Sequence, residues 1–199
     1  HSIYPDDSAV LELSSEKIAF TTDSYTVSPL FFPGGNIGSL AINGTVNDLA
    51  VMGARPQYLS CGLIIEEGFL MKDLEIILQT MAEEAQNAEV SIVTGDTKVV
   101  PKGAADGIFI NTAGIGIMGD FEVHNIIEPG DKVIINGSIG DHGMAIMKIR
   151  EQIASHSNII SDCAHLNHLI NSLLSKFPNA ISFMRDATRG GVASVLHEI

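Results

Sequence analysis

Apolar and polar residues alternate in some stretches of this chain and recur at three- and four-residue intervals in others, so strands and helices interleave along it. KIAFTTDSYTV (17–27), rich in Thr, Val and aromatics, predicts a strand. SPLFFPGGN (28–36) is a loop punctuated by Pro29, Pro33, Gly34 and Gly35. A helix follows over 36–53, with Val46, Leu49, Ala50 and Met52 at near-helical spacing. QYLSCGLIIE (57–66) is an apolar strand. The stretch 71–90 is an amphipathic helix carrying Leu74, Ile77, Leu78, Met81 and Ala85 on one face. SIVTGDTKVV (91–100) and GIFINTAGIGIMG (107–119) are two further strands. After the turn at Glu128-Pro129-Gly130-Asp131 the pattern restarts: 128–152 reads as strand, Gly-rich loop and helix, 161–177 as a helix, and 182–199 ends on a helix after Gly190-Gly191.

The order predicts an α/β fold in two parts. Residues 1–127 form a mixed four-stranded sheet with helices. Residues 128–199 hold one strand and a few helices, too little to cover a sheet, so the chain reads as a fragment of a longer protein. Sheet edges rich in Val, Ile and Gly need cover, which predicts a homodimer through the first part.

Composition narrows the partners. Of the 199 residues 45% are hydrophobic and 18% charged, and the formal net charge is -13. Such a balance excludes binding to a nucleic-acid backbone, which needs clustered Lys and Arg, and docking on an anionic membrane. An acidic protein that binds phosphate must use backbone N–H groups and divalent cations. There is no run of 18 apolar residues to cross a membrane and no visible signal peptide. The two cysteines, Cys61 and Cys163, have no disulfide or zinc-finger spacing. These features predict a cytoplasmic protein.

Against that background the aspartates stand out. A buried carboxylate is costly without a cation or several donors, yet Asn47 and Asp48 sit side by side in an apolar helix. Asp6-Asp7, Asp23, Asp96 and Asp186 also fall at the ends of apolar runs. Singly, each reads as a helix cap or turn former. Together they predict carboxylates converging on Mg2+, which commonly brings a nucleotide phosphate with it. Gly95-Asp96-Thr97-Lys98 and the Gly137–Gly143 stretch read as turns able to aim N–H groups at phosphate, with Lys98 neutralising an oxygen. His142 is either a proton carrier or a loop hydrogen-bonder. GIGIMG (114–119) matches G-x-G-x-x-G, but no helix follows, so its glycines mark close sheet packing. His165 and His168, near Cys163, read as residues of a solvated helix rather than zinc ligands.

The strings TTDSYTVSPLFFPGGNIGSLAINGTVNDLAVMGARPQYLSCGLIIEEG, IVTGDTKVVPKGAADGIFINTAGIG, GDHG, SDCA and RDATRGGV resemble the HypE-type hydrogenase maturation proteins. These belong to the superfamily of aminoimidazole ribonucleotide synthetase and selenophosphate synthetase. The resemblance spans almost the whole chain. It implies a first α/β domain whose sheet pairs with a second copy into a barrel, then a second α/β domain, with ATP and Mg2+ held by aspartates. By matching, Asp7, Asp23, Asp48 and Asp186 are metal ligands, though Pro5 replaces the glycine usual before the first pair. Asn47, Gly95, Asp96, Thr97 and Lys98 then bind the nucleotide, and Asp48, Lys98 and His142 carry the catalytic roles. The implied reaction is ATP-dependent dehydration of a C-terminal cysteine S-carboxamide to thiocyanate, for the cyanide ligands of [NiFe]-hydrogenase iron. The implied partners are the carbamoyltransferase HypF and the HypC-HypD complex. Other phosphoryl transfer within the superfamily, or a non-catalytic assembly scaffold, are the alternatives. This chain stops at Ile199, without the cysteine tail.

Overall fold

A computed structural model of the chain describes residues 8–13, 16–119, 123, 127–153, 158–178 and 180–199. Its centre is a mixed sheet of five strands, β1 (Ala9–Leu13), β2 (Glu16–Tyr25), β5 (Ala54–Glu66), β6 (Ser91–Val100) and β7 (Ile108–Met118). They run in the order β1-β2-β7-β5-β6, antiparallel except for the parallel pair β5–β6. Five strands replace the expected four. Ala9–Leu13 lacks a clean alternation in sequence, and what makes it a strand is the free edge of β2 along which it pairs. In β5, Pro56 is tolerated because the register against β7 shifts between Pro56 and Tyr58, where no ladder N–H is required. A two-residue pair, β3 (Phe31–Phe32) and β4 (Gly35–Asn36), closes around Gly34, whose φ of 94° suits glycine.

Helix α1 (Ile37–Val51) lies on one face of the sheet with α2 (Met71–Asn87) beside it. Asn36 caps α1: its side chain accepts from the Gly38 N–H at 2.8 Å, while Ser39 Oγ accepts from the Asn36 N–H at 3.0 Å. Nearly every side of α1 is buried, as expected of a helix apolar all round. Against the sheet, Ile37, Ala41, Ile42 and Val46 join Leu59, Ile77, Met81, Ile108 and Ile110 in the main core. Gly114 permits the close approach, since a Cβ there would lie 2.9 Å from Leu49, Leu59 and Thr45 atoms. Gly114 and Gly116 of GIGIMG thus serve sheet packing, while Gly119 is exposed beyond β7. On its far side α1 meets α4 (Asn167–Lys176), where Ala50 and Val51 pack with Ile170 and Leu174.

Two expectations beyond residue 128 need correction. Residues 131–135 form no strand; Ile134 is 88% exposed, and among the described residues no strand lies alongside to pair with this run. The helix expected over 161–177 begins only at Asn167, because 161–166 is drawn out as a strap over α1 by the contacts described below. Helices α3 (Asp141–Arg150) and α5 (Gly191–Glu198) complete the elements.

Candidate functional site

Alternation along β2 aims Ala19, Thr21, Asp23 and Tyr25 at the face covered by α1. Asp48, on α1, meets this row: Thr21 Oγ1 donates to Asp48 Oδ2 at 3.0 Å, and Ser8 Oγ donates to the Asp48 carbonyl at 2.9 Å. The Asp23 carboxylate accepts from the Ser24 N–H at 2.8 Å. Tyr25 closes the row. Its hydroxyl lies 3.1 Å from Thr45 Oγ1, which lies 2.5 Å from Thr112 Oγ1, and Thr112 donates to the Ala41 carbonyl at 3.0 Å. This chain of hydroxyls ties β2, α1 and β7 together. Burial pushes the Tyr25 pKa far up, and the charges of Asp23 and Asp48 add to the push.

Asp186 reaches the same neighbourhood from the segment between α4 and α5. Burial, and the nearby charge of Asp23, push its carboxyl up to about 6, although Arg185 and Arg189 pull the other way. Asp186 is thus within electrostatic reach of Asp23, and Tyr25 within reach of both Asp23 and Asp48. Among the described residues no group of three His, Cys, Asp or Glu side chains forms a ready metal cage. The donor set still suits Mg2+, which keeps several waters and takes one or two carboxylates plus phosphate oxygens. The burial and the neighbouring Asp23 charge that push the Asp186 carboxyl up are what such a cation would relieve. Asp7 lies outside the described residues.

The other candidates divide. Asn47 does not join Asp48: its Nδ2 donates to the Ala164 carbonyl at 3.0 Å and its Oδ1 accepts from the Leu166 N–H at 2.7 Å, so both ends of the amide hold the strap. Gly95-Asp96-Thr97-Lys98 is no turn. It lies within β6, paired through Cys61↔Gly95 to Ile64↔Lys98, because β5 offers a parallel edge of matching length. Cross-strand partners share a face, so Gly95 lies on the row of Cys61, Thr112 and Asp23, whereas Asp96 and Lys98 share the opposite face with Gly62 and Ile64. That open face carries exposed Phe20, Tyr58, Ile115 and Ile117 at one end and Ser24, Asn111, Asp96 and Lys98, with Ile64 beside Lys98, towards the other. Within one chain, Lys98 and Asp96 thus point away from Asp48.

His142, at the start of α3, has its Nδ1 2.9 Å from Ser161 Oγ and its backbone N–H on Asp162 Oδ1 at 3.1 Å. Its ring meets Phe32 edge-on, with centroids 5.2 Å apart. These contacts are those of a loop hydrogen-bonder. His165, half-buried, sits 3.8 Å from Glu84 and packs edge-on against His168, which is exposed on α4 and reaches the Asn87 carbonyl at 3.0 Å. Cys61 and Cys163 are free, and burial pushes both thiols up. Thr21 and Tyr25 escaped the sequence reading, although the two-residue alternation through Asp23 was the signal for both.

Comparison with known proteins extends the picture. The chain is 49% identical over 199 residues to the carbamoyl dehydratase HypE of Bradyrhizobium diazoefficiens, covering 98% of this chain and 57% of that protein. A crystal structure of a HypE–HypF complex superposes with a TM-score of 0.90 at 52% identity, covering 97% of this chain and 63% of that one. HypE in complex with ATP superposes with a TM-score of 0.87 at 48% identity, covering 97% of this chain and 58% of the other. The chain therefore spans somewhat more than half the length of these relatives. The model of the AIR synthase related protein N-terminal domain matches residues 5–118, that of the C-terminal domain matches 128–199, and the chain belongs to the AIR synthase related proteins.

Proposed function

We propose that the protein containing this chain is an ATP-dependent carbamoyl dehydratase that converts a cysteine S-carboxamide into a thiocyanate. The observation that carries this reading is the 49% identity with carbamoyl dehydratase HypE along 98% of the chain. The nearness of Asp23 to buried Asp186 and the likeness to a HypE structure holding ATP support the nucleotide part. Asp23 and Asp48 hold Mg2+ from β2 and α1. Asp186 and Asp7 complete the set from the two flanking segments; Ser8, next to Asp7 in the chain, bonds to Asp48. The nucleotide supplies a phosphoryl group that turns a poor leaving group, the amide oxygen, into phosphate. Metal-bound carboxylates cannot do this alone, and Lys98 supplies positive charge for the phosphate oxygens.

Because Lys98 and Asp48 lie on opposite faces of the sheet, the reading includes a homodimer in which the open face is covered by a second copy. The domain boundary near residue 128 and a cytoplasmic location belong to the same reading, as does transfer of the carbamoyl group to the cysteine by a carbamoyltransferase of the HypF kind, HypF being the partner in one similar structure. The hydrogenase iron assembly complex HypC-HypD then receives the cyano group. Mass spectrometry of the full-length protein after incubation with carbamoyltransferase, carbamoyl phosphate and ATP tests it. Carbamoylation of a cysteine followed by loss of one water is expected. ATP hydrolysis without that loss favours another phosphoryl transfer, and neither event favours a scaffold.

A further inference from the structure

A threonine at position 21 needs explaining. It lies in the buried row of β2, 7% exposed, where valine has the same shape and avoids burying a hydroxyl. Its one donated proton goes to Asp48 Oδ2 at 3.0 Å. Residue 48 is held a second time through its carbonyl, by Ser8 Oγ at 2.9 Å. One helical turn earlier, Tyr25 of the same β2 row bonds Thr45, and its hydroxyl seats against Gly44, where any Cβ would collide with it. The spacing between β2 and α1 is thereby fixed beside Asp48, and the Thr21 hydroxyl sets how the carboxylate is turned within that spacing. We propose that Thr21 is a positioning residue for the divalent cation: it orients Asp48, a role distinct from that of any ligand. The proposal rests on Asp48 being a metal ligand. Groups that orient a ligand change metal affinity about 10–100-fold when lost.

The test is titration of the full-length protein with Mn2+, in the presence of a non-hydrolysable ATP analogue, read by electron paramagnetic resonance, with melting temperature measured alongside. Thr21→Val should weaken Mn2+ binding about tenfold or more, and Thr21→Ser, which keeps the donor, should restore it. A residue serving only packing would lower the melting temperature and leave Mn2+ affinity in place. If Thr21→Val does not fold, Thr21→Ala carries the same comparison with Thr21→Ser. Serine weakening the metal as much as valine or alanine would overturn the proposal, as would unchanged affinity in Thr21→Val. Asp48→Asn is the control: weaker Mn2+ in Asp48→Asn with none in Thr21→Val sinks the positioning role alone, whereas unchanged Mn2+ in Asp48→Asn sinks the ligand assignment beneath it.

Discussion

Neighbours on α1, Asn47 and Asp48 point about 100° apart around the helix, which is why two adjacent polar residues fit in one buried helix. Asn47 faces the strap and holds two backbone groups of 164–166; Asp48 faces β2. Asn47→Ala should therefore cost about 1–3 kcal/mol, the penalty of leaving buried partners unmade, with nucleotide affinity changed only through the fold. Urea unfolding midpoints check it. Asp48→Asn is near-isosteric and should leave the midpoint in place or raise it while weakening Mg-ATP at least tenfold, about 1.4 kcal/mol; calorimetric titration showing unchanged affinity would remove Asp48 from the site. His142 titrates at the margin. Burial holds its pKa below the usual 6.5, with Asp162 opposing, so the unfolded chain takes the proton first as pH falls. Stability present above that value is lost as pH drops through the folded pKa, and His142→Gln should flatten the melting temperature between about pH 7 and 5.

At the level of elements, periodicity told most where a face was buried. It placed α1, α2, β2 and β7 within a few residues, because each buries a regular row in the core. It placed β6 over 91–100 as well, where the Gly-Asp composition of Gly95–Lys98 alone suggested a turn and the long parallel edge of β5 keeps the run a strand. It made a strand of 131–135 from apolar composition, which is not enough without a partner strand. The recurrence of Asp23, Asp48 and Asp186 at the ends of apolar runs was legible in the sequence, but the division of labour between Asn47 and Asp48 was not, since neither residue type reveals which way a helix is turned. Gly44 gives an element-scale test. Glycine to alanine in a helix interior ordinarily gains up to about 1 kcal/mol, but here the methyl meets Tyr25 Oη, and Gly44→Ala should instead destabilise by about 1–3 kcal/mol. Pairing it with Tyr25→Phe, which withdraws the hydroxyl, should recover part of the loss.

On the scale of the whole molecule, one side of the sheet is covered by helices and the other carries Phe20, Tyr58, Ile64, Ile115 and Ile117 in the open. An apolar sheet face of this kind fits a second copy. Light scattering at micromolar concentration is expected to give a dimer mass, and Ile115→Lys to shift it towards the monomer; a monomer for the unsubstituted protein would exclude the shared barrel. Truncation at Leu174, which packs on α1 from the opposite side, should cost about 2–5 kcal/mol as Leu174→Ala.

Helix α1 is claimed by two cores, the sheet below and α4 above. A cut near residue 128 therefore follows a change in sequence pattern but not a line along which the molecule comes apart. In hydrogen-exchange terms, the amides of Asn47 to Val51 should not report the sheet alone. Their protection should fall together with that of α4, as one cooperative unit, whenever the strap lets go. A first part expressed by itself would leave Ala50 and Val51 bare and would exchange those amides early, while the strands beneath stayed protected.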